Sequence, residues 1–113
     1  MTISAELSDK AATASAMLGA MANANRLKLL CALHDGEKSV TELAEHVHLS
    51  QGALSQHLAK IRSLGLVETR RDGQMIYYRL AGREVQAILK TLHLLYCSDQ
   101  PPANKPASGK RKP

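Results

Sequence analysis

The chain has two cysteines, Cys31 and Cys97, and each has a histidine nearby, His34 three residues after the first and His93 four residues before the second. At those spacings each pair shares one face of a helix. Two thiols can be joined by oxidation. A thiolate attacks an electrophilic sulfur, and the second thiol resolves the product into a disulfide or a bridge carrying extra sulfur. A single S–S bond requires Cα atoms within about 7 Å, and additional sulfur atoms relax that limit. The same four side chains, Cys31, His34, His93 and Cys97, also offer two sulfurs and two nitrogens, a zinc-like donor set. Each cysteine has a plainer role too, since free cysteine is commonly a small buried hydrophobe and Cys31 falls on an apolar stripe. His46 and His48 lack ligand partners at useful spacing, and so does His57.

A second constellation lies in "LSQGALSQHL", Leu49 to Leu58. Helices are most easily built from Ala, Leu, Glu and Lys, yet the polar positions here are Ser50, Gln51, Gly52, Ser55, Gln56 and His57. With Leu54, Leu58 and Ile61 turned inward, these residues face outward near a helix N-terminus. Gln pairs bidentately with adenine, Ser donates or accepts, and Gly allows close backbone approach, so this face suits base edges in a DNA major groove. Gln51, Ser55, Gln56 and His57 are the candidate base readers. Ser50, Lys60, Arg62, Arg70 and Arg71 are the candidate contacts to phosphates, which supply affinity without sequence information. For any one of these residues a solvated surface role is the simpler account; their joint arrangement favours DNA.

The elements that must hold these residues follow from periodicity and caps. Residues 5 to 22 read as one Ala-rich helix with Leu7, Ala11, Ala14, Leu18 and Met21 in helical register. A second helix spans about Ala24 to His34, with Leu27, Leu30 and Cys31 inward, and ends at Asp35-Gly36. "SVTE" matches a capping box and opens a third helix, Val40 to Val47. Ser50 caps a fourth reaching about Ser63, so the two form a helix-turn-helix. "LVETR" and "QMIYYRL" then read as strands joined by a turn at Asp72-Gly73. A last helix, about Gly82 to Cys97, spreads Val85, Ile88, Leu89, Leu92, Leu95 and Tyr96 over more than one face, which suits burial against its own core and a second chain.

Length and charge limit the alternatives. At 113 residues the chain makes one small domain that gains from a partner subunit. We assign residues 1–100 to that domain and 101–113, a Pro, Lys, Ala and Ser stretch with Lys105, Lys110, Arg111 and Lys112 and no acid, to a disordered basic tail. The net charge of +5 points to an anionic partner. Between residues 50 and 83, Lys60, Arg62, Arg70, Arg71, Arg79 and Arg83 stand against only Glu68 and Asp72, so the basic character of the domain itself follows the Gln- and Ser-rich segment. There is no apolar run of membrane-spanning length and no secretory signal at the start, so a cytoplasmic protein is expected, in which a permanent disulfide is disfavoured. An enzyme is not expected. Cys97 with His93 is the one nucleophile and base pair on offer, and no phosphate loop, paired carboxylates or cofactor fingerprint accompanies it.

The segments "MANANRLKLLCAL", "SVTELAEHVHLSQGALSQHLAKIRSLGLVETRRDGQMIYYRL" and "LHLLYC" resemble the ArsR family of dimeric bacterial repressors over roughly residues 12 to 98. Local departures are Ala24, where many members have Pro or Glu, and Gly52, where Ser or Ala is common. The resemblance implies a mainly α winged helix-turn-helix with a β-hairpin wing, about five helices and two strands. It further implies a homodimer with the helix from Gln51 to Ser63 in the major groove of an inverted-repeat operator, residues 66–80 as the wing, and the first and last helices at the dimer interface. The clustered cysteines of arsenic- and cadmium-sensing members are missing from "TELAEHVHL". The zinc and nickel pattern on the last helix is incomplete, with Glu84 and His93 but no partner at Tyr96. Cys31 and Cys97 instead match the cysteine pair of BigR-like and SqrR-like members. By that resemblance, reactive sulfur species link the two and release DNA; a metal held by Cys31, His34, His93 and Cys97 is the alternative.

Overall fold

The computed structural model describes residues 3–97. Among them, six helices and three strands follow in the order α1 (Ala5–Asp9), α2 (Ala11–Met21), α3 (Ala24–Ala32), β1 (Lys38–Ser39), α4 (Val40–His46), α5 (Gln51–Ser63), β2 (Val67–Asp72), β3 (Met75–Leu80) and α6 (Arg83–Tyr96). Ala20, Met21, Leu29, Leu30, Leu33, Leu43, Val47, Leu54, Leu58, Ile61, Val85 and Leu89, from five helices and the residues that end them, make the core, joined by Leu66, Val67 and Leu80 from the base of the hairpin. This buried apolar set holds the helix-turn-helix and the hairpin in one body.

Local chemistry sets the boundaries. Asn23 caps α3 by accepting from the Asn25 and Arg26 amides, and the Arg26 Nε–H donates to the Ala20 carbonyl at 2.6 Å, tying α3 to the end of α2. The capping box forms as expected: the Glu42 amide donates to Ser39 Oγ at 3.1 Å and the Ser39 amide donates to Glu42 Oε1 at 2.8 Å. Helix α5 stops at Gly65, whose φ of +75° permits the Leu66 amide to reach back to the Ile61 carbonyl and its own amide to reach Arg62. That is a Schellman arrangement. In the hairpin Asp72 pairs with Met75, which leaves Gly73-Gln74 as the loop, and the φ of +64° at Gly73 suits the tight turn.

Four expectations need correction. The first helix is two helices, because the backbone turns out of helical geometry at Lys10, after the weak helix formers Ser8 and Asp9. A third strand is present: β1 pairs antiparallel with β3, giving the order β1-β3-β2. At two residues it is too short for an alternation signal, and its second residue doubles as the α4 cap, whose extended backbone suits both tasks. The element count is therefore six helices and three strands in place of five and two. Finally, Cys31 is not on the inward stripe. Leu29, Leu30 and Leu33 fill the core side of α3, and Cys31 is exposed.

Apart from Leu64 after α5 and Met75 in the hairpin, the large apolar residues left exposed among the described ones fall at the two ends of the chain, on or beside the helices expected at a dimer interface. Leu7 and Leu18 on α1 and α2 are about half exposed, and Leu94, Leu95 and Tyr96 at the end of α6 are more exposed still. The tail assigned to 101–113 and the last three residues of the 1–100 domain lie outside the described residues.

Candidate nucleic-acid interface and cysteine corner

Helix α5 is built as the sequence suggests. Ser50 Oγ accepts from the Ala53 amide at 3.1 Å, which leaves the hydroxyl hydrogen free to donate outward. Leu54, Leu58 and Ile61 are buried, while Gln51, Gly52, Ser55 and Gln56 are exposed and His57 is half-buried. At 3.6 residues per turn, Gly52 and Gln56 lie most nearly opposite the core stripe. Gln51 and Ser55 lie on one flank and His57 on the other. Ser55 shares its flank with Arg62, beside Val40 and Tyr78, where helix-turn-helix and hairpin meet. The positive end of the helix dipole and the Ser50 donor thus stand next to the amide side chains.

The cations around this face divide into free and committed. Lys60, Arg62 and Arg71 are exposed and make no ion pair among the described residues. Arg79 is paired with Glu68 at 2.8 Å on the neighbouring strand. Arg70 is committed on one edge: its Nε–H and an Nη2–H donate to the two oxygens of Glu37 at 3.0 and 2.7 Å, and its guanidinium carbon lies 4.6 Å from the centre of the Tyr77 ring. The Arg70 hydrogen bond holds the Glu37 carboxyl below the usual carboxylate range. Glu37, in the loop between α3 and β1, carries no pattern that singles it out in sequence; an acidic residue opposite a basic hairpin is its only signal.

The cysteines and their histidines meet at the C-terminal end of α3, next to the loop that carries Glu37. Cys31 sits on its last turn and Cys97 at the C-terminal cap of α6, where its amide donates to the His93 carbonyl at 2.8 Å. Both are free, exposed thiols. The Cys31 thiol is nonetheless partly desolvated by its surroundings, which raises its pKa, and a negative charge on Cys97 raises it further. The thiols are thus within electrostatic range in one chain. The His34 and His93 rings pack with centroids 5.6 Å apart and planes tilted by 34°. All four side chains therefore lie where the ends of α3 and α6 meet. Among the described residues, no group of three or more His, Cys, Asp or Glu is arranged to hold a metal ion. His46 is occupied locally, its Nδ1 2.9 Å from the Glu42 carbonyl.

A capped helix with an outward polar face, preceded by a short helix and followed by a basic β-hairpin, defines a winged helix-turn-helix DNA-binding regulator. Residues 23–69 match the model of the bacterial regulatory proteins of the arsR family. Over 92 residues the chain is 50% identical to the transcriptional activator HlyU of Vibrio cholerae serotype O1, covering 81% of this chain and 85% of that one. The structure of reduced HlyU from Vibrio cholerae superposes with a TM-score of 0.78 at 49% identity, over 82% of this chain and 98% of that one. The transcriptional repressor BigR from Xylella fastidiosa gives 0.76 at 33% identity, over 83% and 96%. A homodimeric winged helix-turn-helix domain from Mycobacterium bovis gives 0.70 at 30%, over 82% and 86%. The chain belongs to the arsR family, as the resemblance implied, and is a transcriptional regulator rather than an enzyme. No helix among its described residues is long and apolar enough to cross a membrane.

Proposed function

We propose that the protein is a homodimeric cytoplasmic repressor that reads an inverted-repeat operator and is released when reactive sulfur species link Cys31 to Cys97. The observation that carries the DNA half is the exposed Gln51, Ser55 and Gln56 face beside the unpaired cations Lys60, Arg62 and Arg71. His57 flanks the base-reading set, and the free Ser50 hydroxyl hydrogen suits a phosphate oxygen. The second half is supported by two exposed thiols placed together by helices far apart in sequence.

The chemistry balances with the inducer as oxidant. One thiolate attacks the outer sulfur of a persulfide, RS–SH, forming Cys–S–SH and releasing RS⁻. The second thiolate then attacks the inner sulfur, forming the Cys31–Cys97 disulfide and releasing HS⁻. If both thiols are persulfidated first, condensation with loss of hydrogen sulfide leaves a trisulfide. Either bridge ties the end of α6, at the expected dimer interface, to α3, and so biases the spacing of the two recognition helices.

Mass spectrometry after exposure to persulfide, peroxide or zinc, read beside binding to a duplex selected in vitro by the reduced protein, tests this reading. Cys31→Ser and Cys97→Ser should each keep near-normal binding and lose persulfide release. Release that survives in both variants would sink the dithiol switch. The approach of His34 and His93 keeps a metal-responsive reading with Cys31 and Cys97 in second place. Stoichiometric zinc binding that disappears in His34→Ala or His93→Ala would promote it.

A further inference from the structure

Arg70 looks in sequence like one of two equivalent wing arginines, and its surroundings separate it from Arg71. The contacts its guanidinium makes among the described residues are to both Glu37 oxygens and the Tyr77 face, with Asp72 a distant 3.9 Å away, although half of the side chain remains exposed. An exposed ion pair is ordinarily worth little, but a bidentate geometry stacked on an aromatic ring is the exception, because the planar fork is held in place before it bonds. Glu37 is attached to β1, Tyr77 lies on the central strand β3 and Arg70 on the far strand β2. The contact therefore spans the whole sheet. Its near end is the loop that leaves α3 three residues after His34, beside the cysteine corner.

We propose that Glu37 and Arg70 are positioning residues, a strut that sets the angle of the wing against the α3–β1 loop, and that Arg70 is withheld from the DNA backbone while Arg71 contacts it. The inference rests on the wing lying against DNA. It departs from the simple expectation that both arginines neutralise phosphate. A phosphate contact depends on positive charge at position 70, whereas the ion-pair part of a strut depends on opposite charges at 37 and 70, and the Tyr77 stacking needs the guanidinium.

Exchanging the charges distinguishes these roles. With the reduced full chain and a duplex selected by the wild-type protein, affinity is measured over a salt series. Arg71→Gln should lower the slope of log K against log salt by about 0.9, the value for one phosphate contact. Arg70→Gln and Glu37→Gln should each weaken binding by roughly fivefold without changing that slope, and their effects should not add. Arg70→Glu should weaken binding, and adding Glu37→Arg should recover part of the affinity, short of wild type because the Tyr77 stacking is lost, at the wild-type slope. A slope in Arg70→Gln that drops as in Arg71→Gln, or a charge exchange as weak as Arg70→Glu alone, overturns the strut. Amide exchange of residues 67–80 supplies a readout independent of DNA: faster in both Gln variants, and slower in the charge exchange than in Arg70→Glu, or the proposal fails. A wild-type protein that selects no duplex would overturn the DNA reading itself, with the strut then decided by amide exchange alone.

Discussion

Gln56 and Arg71 stand on neighbouring elements, yet their loss should show in different measurements. Gln56→Ala removes an amide that can distinguish adenine, so affinity for the selected duplex should fall by about 1–3 kcal/mol while affinity for scrambled DNA is unchanged. Arg71→Ala should weaken both duplexes equally; a matching loss of sequence preference in the two variants would count against the assigned roles. Cys31 offers a pH test. Burial and the charge of Cys97 raise its pKa, so its alkylation rate should climb with pH to a midpoint above that of an ordinary exposed thiol. Cys97→Ser should move that midpoint only part of the way down, because the larger cause, desolvation, remains. The α5 face was legible in sequence because its cap, core stripe and polar positions all fall within a single short stretch of chain. The role of Arg70 was not, since its partner lies 33 residues away and only folding brings them together. Cys31 misled for a different reason. A stripe drawn through Leu27, Leu30 and Cys31 leaves out Leu29 and Leu33, and with those two included the apolar side of the helix is centred well away from Cys31.

At the scale of elements, caps and stops carry much of the specification. Ser39→Ala removes the oxygen that receives the Glu42 amide in a buried setting, and should cost about 1–2 kcal/mol, read as a lower midpoint in a denaturant melt. Gly65→Ala should cost a similar amount, about 1–2 kcal/mol, because a Cβ is strained at a φ of +75° although the space around it is open. Equal melts for wild type and Gly65→Ala would mean the backbone there relaxes freely. These signals are short-range, so the boundaries of α4, α5 and the hairpin could be placed from sequence to within a residue or two. The third strand could not, because β1 exists only through its partner β3.

At the scale of the molecule, the uncovered leucines of α1, α2 and α6 call for a second subunit. Leu95→Glu should shift the protein toward monomer in sedimentation and lower operator affinity together, since two half-sites about 34 Å apart need two linked recognition helices. A variant that stays dimeric, or a monomer that keeps full operator affinity, would move the interface elsewhere. The apolar residues on more than one face of α6 were legible in the sequence; how a second subunit would be arranged on them depends on contacts between chains and has no signature in one sequence. Ser39 has a last consequence for where the chain can change in length. It is at once a rung of the wing sheet, opposite Tyr77, and the first hydrogen-bond acceptor of α4. A residue inserted between Ser39 and Glu42 would part the cap from the amide it receives, so the spacing of those two residues is tied to both ladder and helix start. The Gly73-Gln74 tip joins only the two strands that meet there. A longer loop at the tip would therefore leave the joint at Ser39 undisturbed, whereas a change in spacing at Ser39 would disturb sheet and helix at once.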